Sequence, residues 1–230
     1  MHTPEAGAKI GCVGEWAADT ETHGQGSSVA GPGTAGTIKR RTPSVRGERT
    51  RHRIAEAALS LLVEFEVPPT ARDIAERSGV SLRLIFHHFS DLDELYRSVN
   101  EVYTARFHEL SRVPGNLPLD TRIERTVRGR AVLYESIGNL GRQAMTLTPV
   151  HPAVAEGVMA THQTMTNNLE CTFSRELEAA GRGRKELLAA LDLAVSWHSW
   201  DRLRKVSSLS VPSSRRIMTR MLRAAVADAA

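Results

Sequence analysis

The segment from Thr70 to Leu95 constrains the fold most, because it predicts two short helices joined at a glycine. Thr70 follows two prolines that cannot continue the preceding helix, and its hydroxyl can cap the next one, with Asp73 as capping-box partner. Gly79 can supply the left-handed backbone that ends a helix, and Ser81 can cap a second helix at once. The segment therefore predicts a helix-turn-helix, whose second helix can enter a DNA groove.

The second helix has an inner and an outer face. Ile85 and Phe89 are four residues apart and share the inner face, which predicts core packing. The other face carries two apolar and two polar side chains, Leu82, Arg83, Phe86 and His87. An arginine can bond guanine or phosphate, and a leucine can contact a thymine methyl. The alternative interpretation is an ordinary surface of a small helical corner.

Residues Arg49 to Phe65 predict the leading helix of the same domain. Its apolar residues recur every three or four positions and form one stripe, which comprises Ile54, Ala57, Ala58, Leu61, Leu62 and Phe65. Such a stripe can cover the helix pair that follows.

Together these motifs resemble the DNA-binding domain of TetR-family transcriptional regulators. The family pattern T-x-x-x-I-A-x-x-x-G-V-S, followed by an aromatic residue, H-F and a leucine, is matched at Thr70, Ile74, Ala75, Gly79, Val80, Ser81, His88, Phe89 and Leu95. The resemblance implies a regulator that binds DNA as a dimer and has a helical domain for a small-molecule effector.

Two positions depart from the family pattern. The family usually has Tyr where this chain has Phe86 and Lys where it has Leu92, and those residues typically bond DNA phosphates. Phe86 and Leu92 cannot make these bonds, so we expect other side chains to hold the DNA backbone. The candidate DNA-binding residues are Arg46, Arg49, Thr70, Arg72, Ser81, Leu82, Arg83, Phe86, His87 and His88.

Basic residues are concentrated just before the predicted helices. Between Lys39 and Arg53 lie seven Lys and Arg residues against one acid, Glu48. Residues 38–90 as a whole carry ten Lys and Arg against six Asp and Glu. This arm can neutralise DNA phosphates or reach an adjacent minor groove. The alternative is a solvated tail that only keeps the protein soluble.

From Asp91 onward the pattern predicts only amphipathic helices with short connections, which indicates a bundle. Single helices are expected from about Val154 to near Gly181 and Gly183, from Lys185 to about Val206, and from Pro212 to about Ala227. The expected fold class is therefore all-α, with an N-terminal three-helix DNA-binding domain followed by a C-terminal helical bundle.

The expected domains are a disordered extension at 1–37, the basic arm and helix-turn-helix domain at 38–90, with the helix-turn-helix at about 70–89, and the bundle at 91–230. The extension lacks periodicity and does not resemble a signal peptide. An alternative is that translation begins later, at a non-ATG codon such as that of Val29 or Val45.

The bundle supplies candidates for an effector pocket and a dimer interface. The pocket candidates are Tyr103, Phe107, Tyr134, Met145, Met159, His162, Met165 and Trp197, although aromatic and Met stripes are often plain core. The resemblance also implies a four-helix interface formed by the last two helices of each subunit. Its candidates are Trp200, Leu203, Ile217 and Met221, although tryptophans at this spacing often belong to the core.

Composition limits the other classes of protein. No apolar run is long enough to span a membrane, and two distant cysteines, Cys12 and Cys171, favour a reducing cytoplasm over a disulfide. No metal-binding, nucleophile or phosphate-loop motif is found, so we expect no metal, no cofactor and no catalytic residues. The expected protein is a cytoplasmic, ligand-responsive repressor that binds a palindromic operator as a homodimer. The competing hypotheses are an architectural or membrane-surface basic helical protein and, less favoured, an enzyme.

Overall fold

A computed structural model of the protein describes residues 45–107 and 112–228, with side chains except that of Phe107. These ranges contain helices and no strand, and the predicted all-α fold class is confirmed. The helices are α1 Val45–Glu64, α2 Ala71–Ser78, α3 Leu82–His88, α4 Leu92–Phe107, α5 Leu119–Ser136, α6 Leu140–Leu147, α7 Pro152–Thr172, α8 Ser174–Ala179, α9 Arg184–Ala194, α10 Trp197–Asp201 and α11 Val211–Asp228. The expected extension at 1–37 lies outside the described residues.

Local hydrogen bonds set the boundaries of α2 and α3. The backbone N–H and hydroxyl of Thr70 both donate to Asp73 Oδ2, at 2.7 and 2.6 Å, and the Asp73 N–H donates back to the Thr70 hydroxyl. Gly79 ends α2 with φ of 67°, and the Ser81 hydroxyl accepts from the Leu84 N–H at 3.2 Å. The capping box, the glycine and the second cap are those that the sequence predicts.

The stripe of α1 packs over this pair, with Ile54, Ala58 and Leu61 fully or almost fully buried. Arg51, on the next face of α1, joins three helices. Its guanidinium lies 4.4 Å from the centre of the Phe89 ring, pairs with Glu94 of α4 at 2.9 Å, and donates to the carbonyl of His88. Arg51 therefore stabilises the head, which comprises α1, α2 and α3. Only part of the basic arm is left for other roles.

The carboxyl end of α1 is bonded to the corner between α5 and α6. The Asn139 N–H donates to the Val63 carbonyl at 3.0 Å, and the Gln143 amide donates to the carbonyls of Leu62 and Phe65. Gly138, with φ of 50°, brings its backbone against Val63, where a Cβ would lie 2.5 Å from the carbonyl oxygen. These bonds satisfy the last carbonyls of α1 and attach the head to the bundle.

Two helices of the bundle are broken where the sequence predicts continuous ones. The segment expected as one helix from Lys185 to Val206 ends first at Ala194, and Ser196 begins α10 by accepting from the Ser199 N–H at 3.1 Å. The chain then continues as a π-turn over Arg202–Val206. The helix expected from Val154 to near Gly181 and Gly183 is interrupted at Phe173. Periodicity alone predicts both as continuous, because the apolar faces continue across each break.

No helix within residues 45–107 and 112–228 has the length and apolar character that crossing a membrane requires.

Candidate DNA interface and ligand cavity

The outer face of α3 is exposed as its sequence predicts. Phe86 is 58 % exposed and Leu82 39 % exposed, while Ile85 and Phe89 on the opposite face are 2 % exposed. Arg83 and His87 are exposed beside the two apolar side chains. Exposed Phe and Leu next to Arg and His suit a surface that contacts both base edges and phosphates.

A groove of about 660 Å³ lies beside this face, between α3 and the first turns of α1. Three arginines and two histidines line it, together with small and apolar groups; the lining residues are Arg46, Gly47, Arg49, Thr50, Arg53, Leu84, His87 and His88. The candidates Arg46, Arg49, His87 and His88 are thereby brought together. Arg53 belongs to the predicted basic arm, but nothing in the sequence alone distinguished its exposed position from the inward position of Arg51.

The two histidines differ in their surroundings. His87 is exposed, whereas His88 is half-buried, and their rings lie 5.5 Å apart in an edge-on arrangement. Burial, followed by the nearby charges of His87 and Arg51, lowers the pKa of His88. His88 is therefore protonated less readily than an unperturbed histidine, and its ring N–H can donate to a phosphate.

The remaining candidates, Thr70, Arg72 and Ser81, lie on α2 and at the amino-terminal caps of α2 and α3. Arg72 is exposed on α2, and the hydroxyls of Thr70 and Ser81 are already bonded in the caps described above. Leu92 is 40 % exposed at the start of α4, where it offers no hydrogen bond. Arg46, Arg49 and Arg53 of α1 thus line the groove beside the exposed face of α3, and Arg83 lies on that face.

A second cavity, of about 500 Å³, lies inside the bundle between α4, α5, α6, α7 and α9. Its wall is mostly apolar, and it includes six of the pocket candidates, namely Tyr103, Tyr134, Met145, His162, Met165 and Trp197. Met159 does not line it and is 65 % exposed, and the side chain of Phe107 lies outside the described part of the chain. Leu62 of α1 also lines the cavity, so the cavity reaches the base of the head.

Close backbone packing shapes the cavity on two sides. The Trp197 ring lies on Gly141 of α6, where a Cβ would come within 2.2 Å of the ring. On the other side Gly157 of α7 leaves room for Asn100 of α4, whose amide donates to the Ala153 carbonyl at 2.9 Å. Because α4 and α6 both contact the head, a molecule in this cavity would touch helices that position α3.

The four candidates for a subunit interface are placed differently from one another. Trp200 is 3 % exposed, contacts Tyr134, and donates from its indole nitrogen to Glu135 at 3.0 Å. It is core within one chain and cannot reach a partner. Leu203 and Ile217 are partly exposed, and Met221 is 39 % exposed on α11.

Within the described residues no group of three or more His, Cys, Asp and Glu side chains is arranged to hold a metal ion.

Comparison with known proteins shows one family and several solved structures that this chain is similar to. Residues 54–99 match the model of the family described as bacterial regulatory proteins, tetR family. This range contains α2, α3 and most of α1, and therefore the whole predicted helix-turn-helix.

Three solved structures share the fold over most of their length. A protein described as a TetR-family transcriptional regulator from Mesorhizobium loti has a TM-score of 0.62 at 16 % identity, over 80 % of this chain and 98 % of that one. A transcriptional regulator from Rhodococcus sp. Rha1 has a TM-score of 0.62 at 17 % identity, over 77 % and 96 %. A TetR-family regulator from Rhodococcus sp. has a TM-score of 0.57 at 15 % identity, over 78 % and 99 %. No curated protein matches the sequence.

The chain therefore shares its fold with solved transcriptional regulators. Residues 54–99 match the tetR family model, as the resemblance carried by the motif between Thr70 and Leu95 predicts.

Proposed function

We propose that the protein is a cytoplasmic, ligand-responsive repressor that binds a palindromic DNA operator as a homodimer. The observation that carries the proposal is the exposed face of α3, with Leu82, Arg83, Phe86 and His87, beside the groove that contains Arg46, Arg49 and Arg53. In this proposal the face of α3 contacts bases, and the arginines of α1 hold the phosphates that Phe86 and Leu92 cannot bond. Arg72, Thr70, Ser81 and His88 are supporting contacts to the DNA backbone.

We further propose the domain division of 38–90 for the DNA-binding part and 91–230 for the effector and dimer part. The exposed side of α11, with Ile217, Met221 and the adjacent Leu203, is the proposed dimer surface. A two-fold partner on it would place two α3 helices about 34 to 36 Å apart, one turn of DNA.

The effector response is supported by how the cavity is attached to the head. Two of its wall helices, α4 and α6, are bonded to the head, α4 through the Arg51–Glu94 pair and α6 through the Gln143 amide. A ligand that favours one arrangement of α4 and α6 would change the separation of the two α3 helices, and with it the affinity for the operator.

Selection of bound sequences from random DNA tests the central proposal. We expect a short palindrome to be recovered and protected in footprinting. Arg83→Ala should lower affinity for that palindrome about tenfold or more while leaving binding to random DNA little changed, because a base contact contributes about 1 to 3 kcal/mol. Arg49→Ala should instead weaken binding to both DNAs and reduce its salt dependence.

Arg182→Ala is the matched control, because Arg182 is exposed on the short turn between α8 and α9, outside the groove and the face of α3. Equal affinity for palindromic and random DNA would favour the alternative of an architectural protein without operator specificity.

A further inference from the structure

Arg130 is a buried cation in the wall of the bundle cavity. Arg130 is 2 % exposed, and its guanidinium donates to the Met165 carbonyl at 2.9 Å. Its Nε atom has no hydrogen-bond partner. Among the described residues, no carboxylate oxygen lies within 4.0 Å of the Arg130 guanidinium nitrogens, so Arg130 forms no ion pair with them. A charge removed from water without a counterion is costly, so Arg130 needs an explanation.

The other polar groups of the cavity do not neutralise Arg130. Tyr134 donates its hydroxyl to the Val195 carbonyl at 2.8 Å, and burial raises its pKa, although the charge of Arg130 and a hydrogen bond from Arg130 to the Tyr134 oxygen oppose that rise. Burial raises the pKa of Tyr103 to about 12. Both phenols are therefore neutral at pH 7, and neither supplies a negative charge.

Asp192 is the carboxylate that lines the same cavity, and it is engaged elsewhere. It accepts a hydrogen bond from Thr166 at 3.5 Å and lies 3.9 Å from the Nδ1 atom of His162. The side chain of His162 is 60 % exposed, which places this pair near solvent. The cavity thus has one internal guanidinium, one carboxylate that is bonded to Thr166 and His162, neutral phenols and apolar walls.

Resting on the ligand response proposed above, we infer that the effector is an apolar monocarboxylic acid whose carboxylate binds Arg130. A guanidinium is suited to hold a carboxylate by two parallel hydrogen bonds. The hydrocarbon part would fill the space beside Val99, Ile137 and Trp197. One cation matches one negative charge, and about 500 Å³ lies in the range of small-molecule sites.

Matched ligands test the inference on the full-length protein. Decanoate and 1-naphthylacetate are compared by calorimetry and thermal shift with the alcohol and the amine of each carbon skeleton. We expect at least one acid to bind about tenfold or more tightly than its alcohol, and the amines to bind more weakly still. Arg130→Met should remove the preference of that acid over its alcohol while leaving alcohol binding unchanged, and Arg130→Lys should retain part of it.

Arg128→Met is the matched control, because Arg128 lies on the same helix but is exposed. It should leave the acid preference intact. If Arg130→Met does not fold, the comparison of acid and alcohol on the wild-type protein and the Arg130→Lys variant still decides. Equal binding of acid and alcohol, tighter binding of an amine that depends on Asp192, or no binding of either acid would overturn the inference.

The same ligands separate this inference from the proposed function. An acid that binds through Arg130 but does not change operator affinity supports the inferred ligand class and contradicts the ligand response. An alcohol or amine that lowers the affinity for the operator would have the opposite meaning. It would support the ligand response and contradict the carboxylate inference.

Discussion

Helix α5 contains two buried arginines. Arg122 lies in its first turn, here called the closed end, and Arg130 lies beside the bundle cavity, here called the open end. Arg122, at the closed end, is 2 % exposed and binds Glu176 at 2.6 and 2.7 Å. It also donates to the carbonyls of Leu117 and Thr172. Arg130, at the open end, is equally buried but has no carboxylate partner among the described residues. Arg122 therefore stabilises the fold, whereas Arg130 on the same helix can still bind a carboxylate.

The largest expected effect is on the closed end. Arg122→Met removes the partner of Glu176 and two donors to backbone carbonyls, so the free energy of unfolding should fall by about 3 to 5 kcal/mol. Chemical denaturation measures it. Arg125→Met, on the same helix but exposed, is the control and should change stability little. An equally small loss in Arg122→Met would mean that the Arg122–Glu176 pair is not a structural element.

The pH dependence gives this prediction a second measurement. Hydrogen bonding to Arg122 lowers the pKa of Glu176 below its ordinary value of 4.5. A lowered pKa in the folded state means that the contribution of the pair is fully present above pH 4.5 and is lost as pH falls through the lowered pKa. The difference in stability between wild type and Arg122→Met should therefore shrink below pH 4.5.

The local features of the head could be predicted from sequence because their partners are close in the chain. The Thr70–Asp73 box, Gly79 and Ser81 each act over three or four residues. The bonds that define the bundle are long-range: Arg122 and Glu176 are 54 residues apart, and Gln143 and Leu62 are 81 apart. No periodicity encodes such pairs, so the two arginines of α5 could not be told apart.

The same limit applies to side chains whose direction depends on packing. A count of charges includes Arg51 in the basic arm, but its stacking on Phe89 places it inside the head. The family resemblance makes Trp200 an interface candidate, but its hydrogen bond to Glu135 places it in the core of one chain. In both cases the role of the side chain depends on the residue that it contacts, Phe89 for Arg51 and Glu135 for Trp200.

The second prediction concerns the open end of α5. Arg130→Met removes an unneutralised buried charge and keeps an unbranched apolar side chain, so the free energy of unfolding should stay within about 1 kcal/mol of wild type or increase. The same denaturation measurement applies, with Arg128→Met as control. A loss close to that of Arg122→Met would remove the distinction between the two ends of the helix and would make Arg130 a structural residue.

The smallest effect is expected at an exposed pair, which provides the scale for both buried arginines. Arg77 of α2 binds Glu64 of α1 at 2.7 and 2.8 Å, and its hydrogen bonds lower the pKa of Glu64 to about 2. The side chains are 37 % and 51 % exposed, so water and salt screen the pair despite its short distances. Arg77→Ala should therefore lower the unfolding midpoint less than Arg122→Met, and the loss should diminish further in about 1 M salt.

Arg72→Ala, exposed on the same helix, controls for the loss of an arginine from α2. A salt-insensitive loss as large as that of Arg122→Met would show that burial is not what separates these arginines, and the comparison along α5 would lose its physical basis.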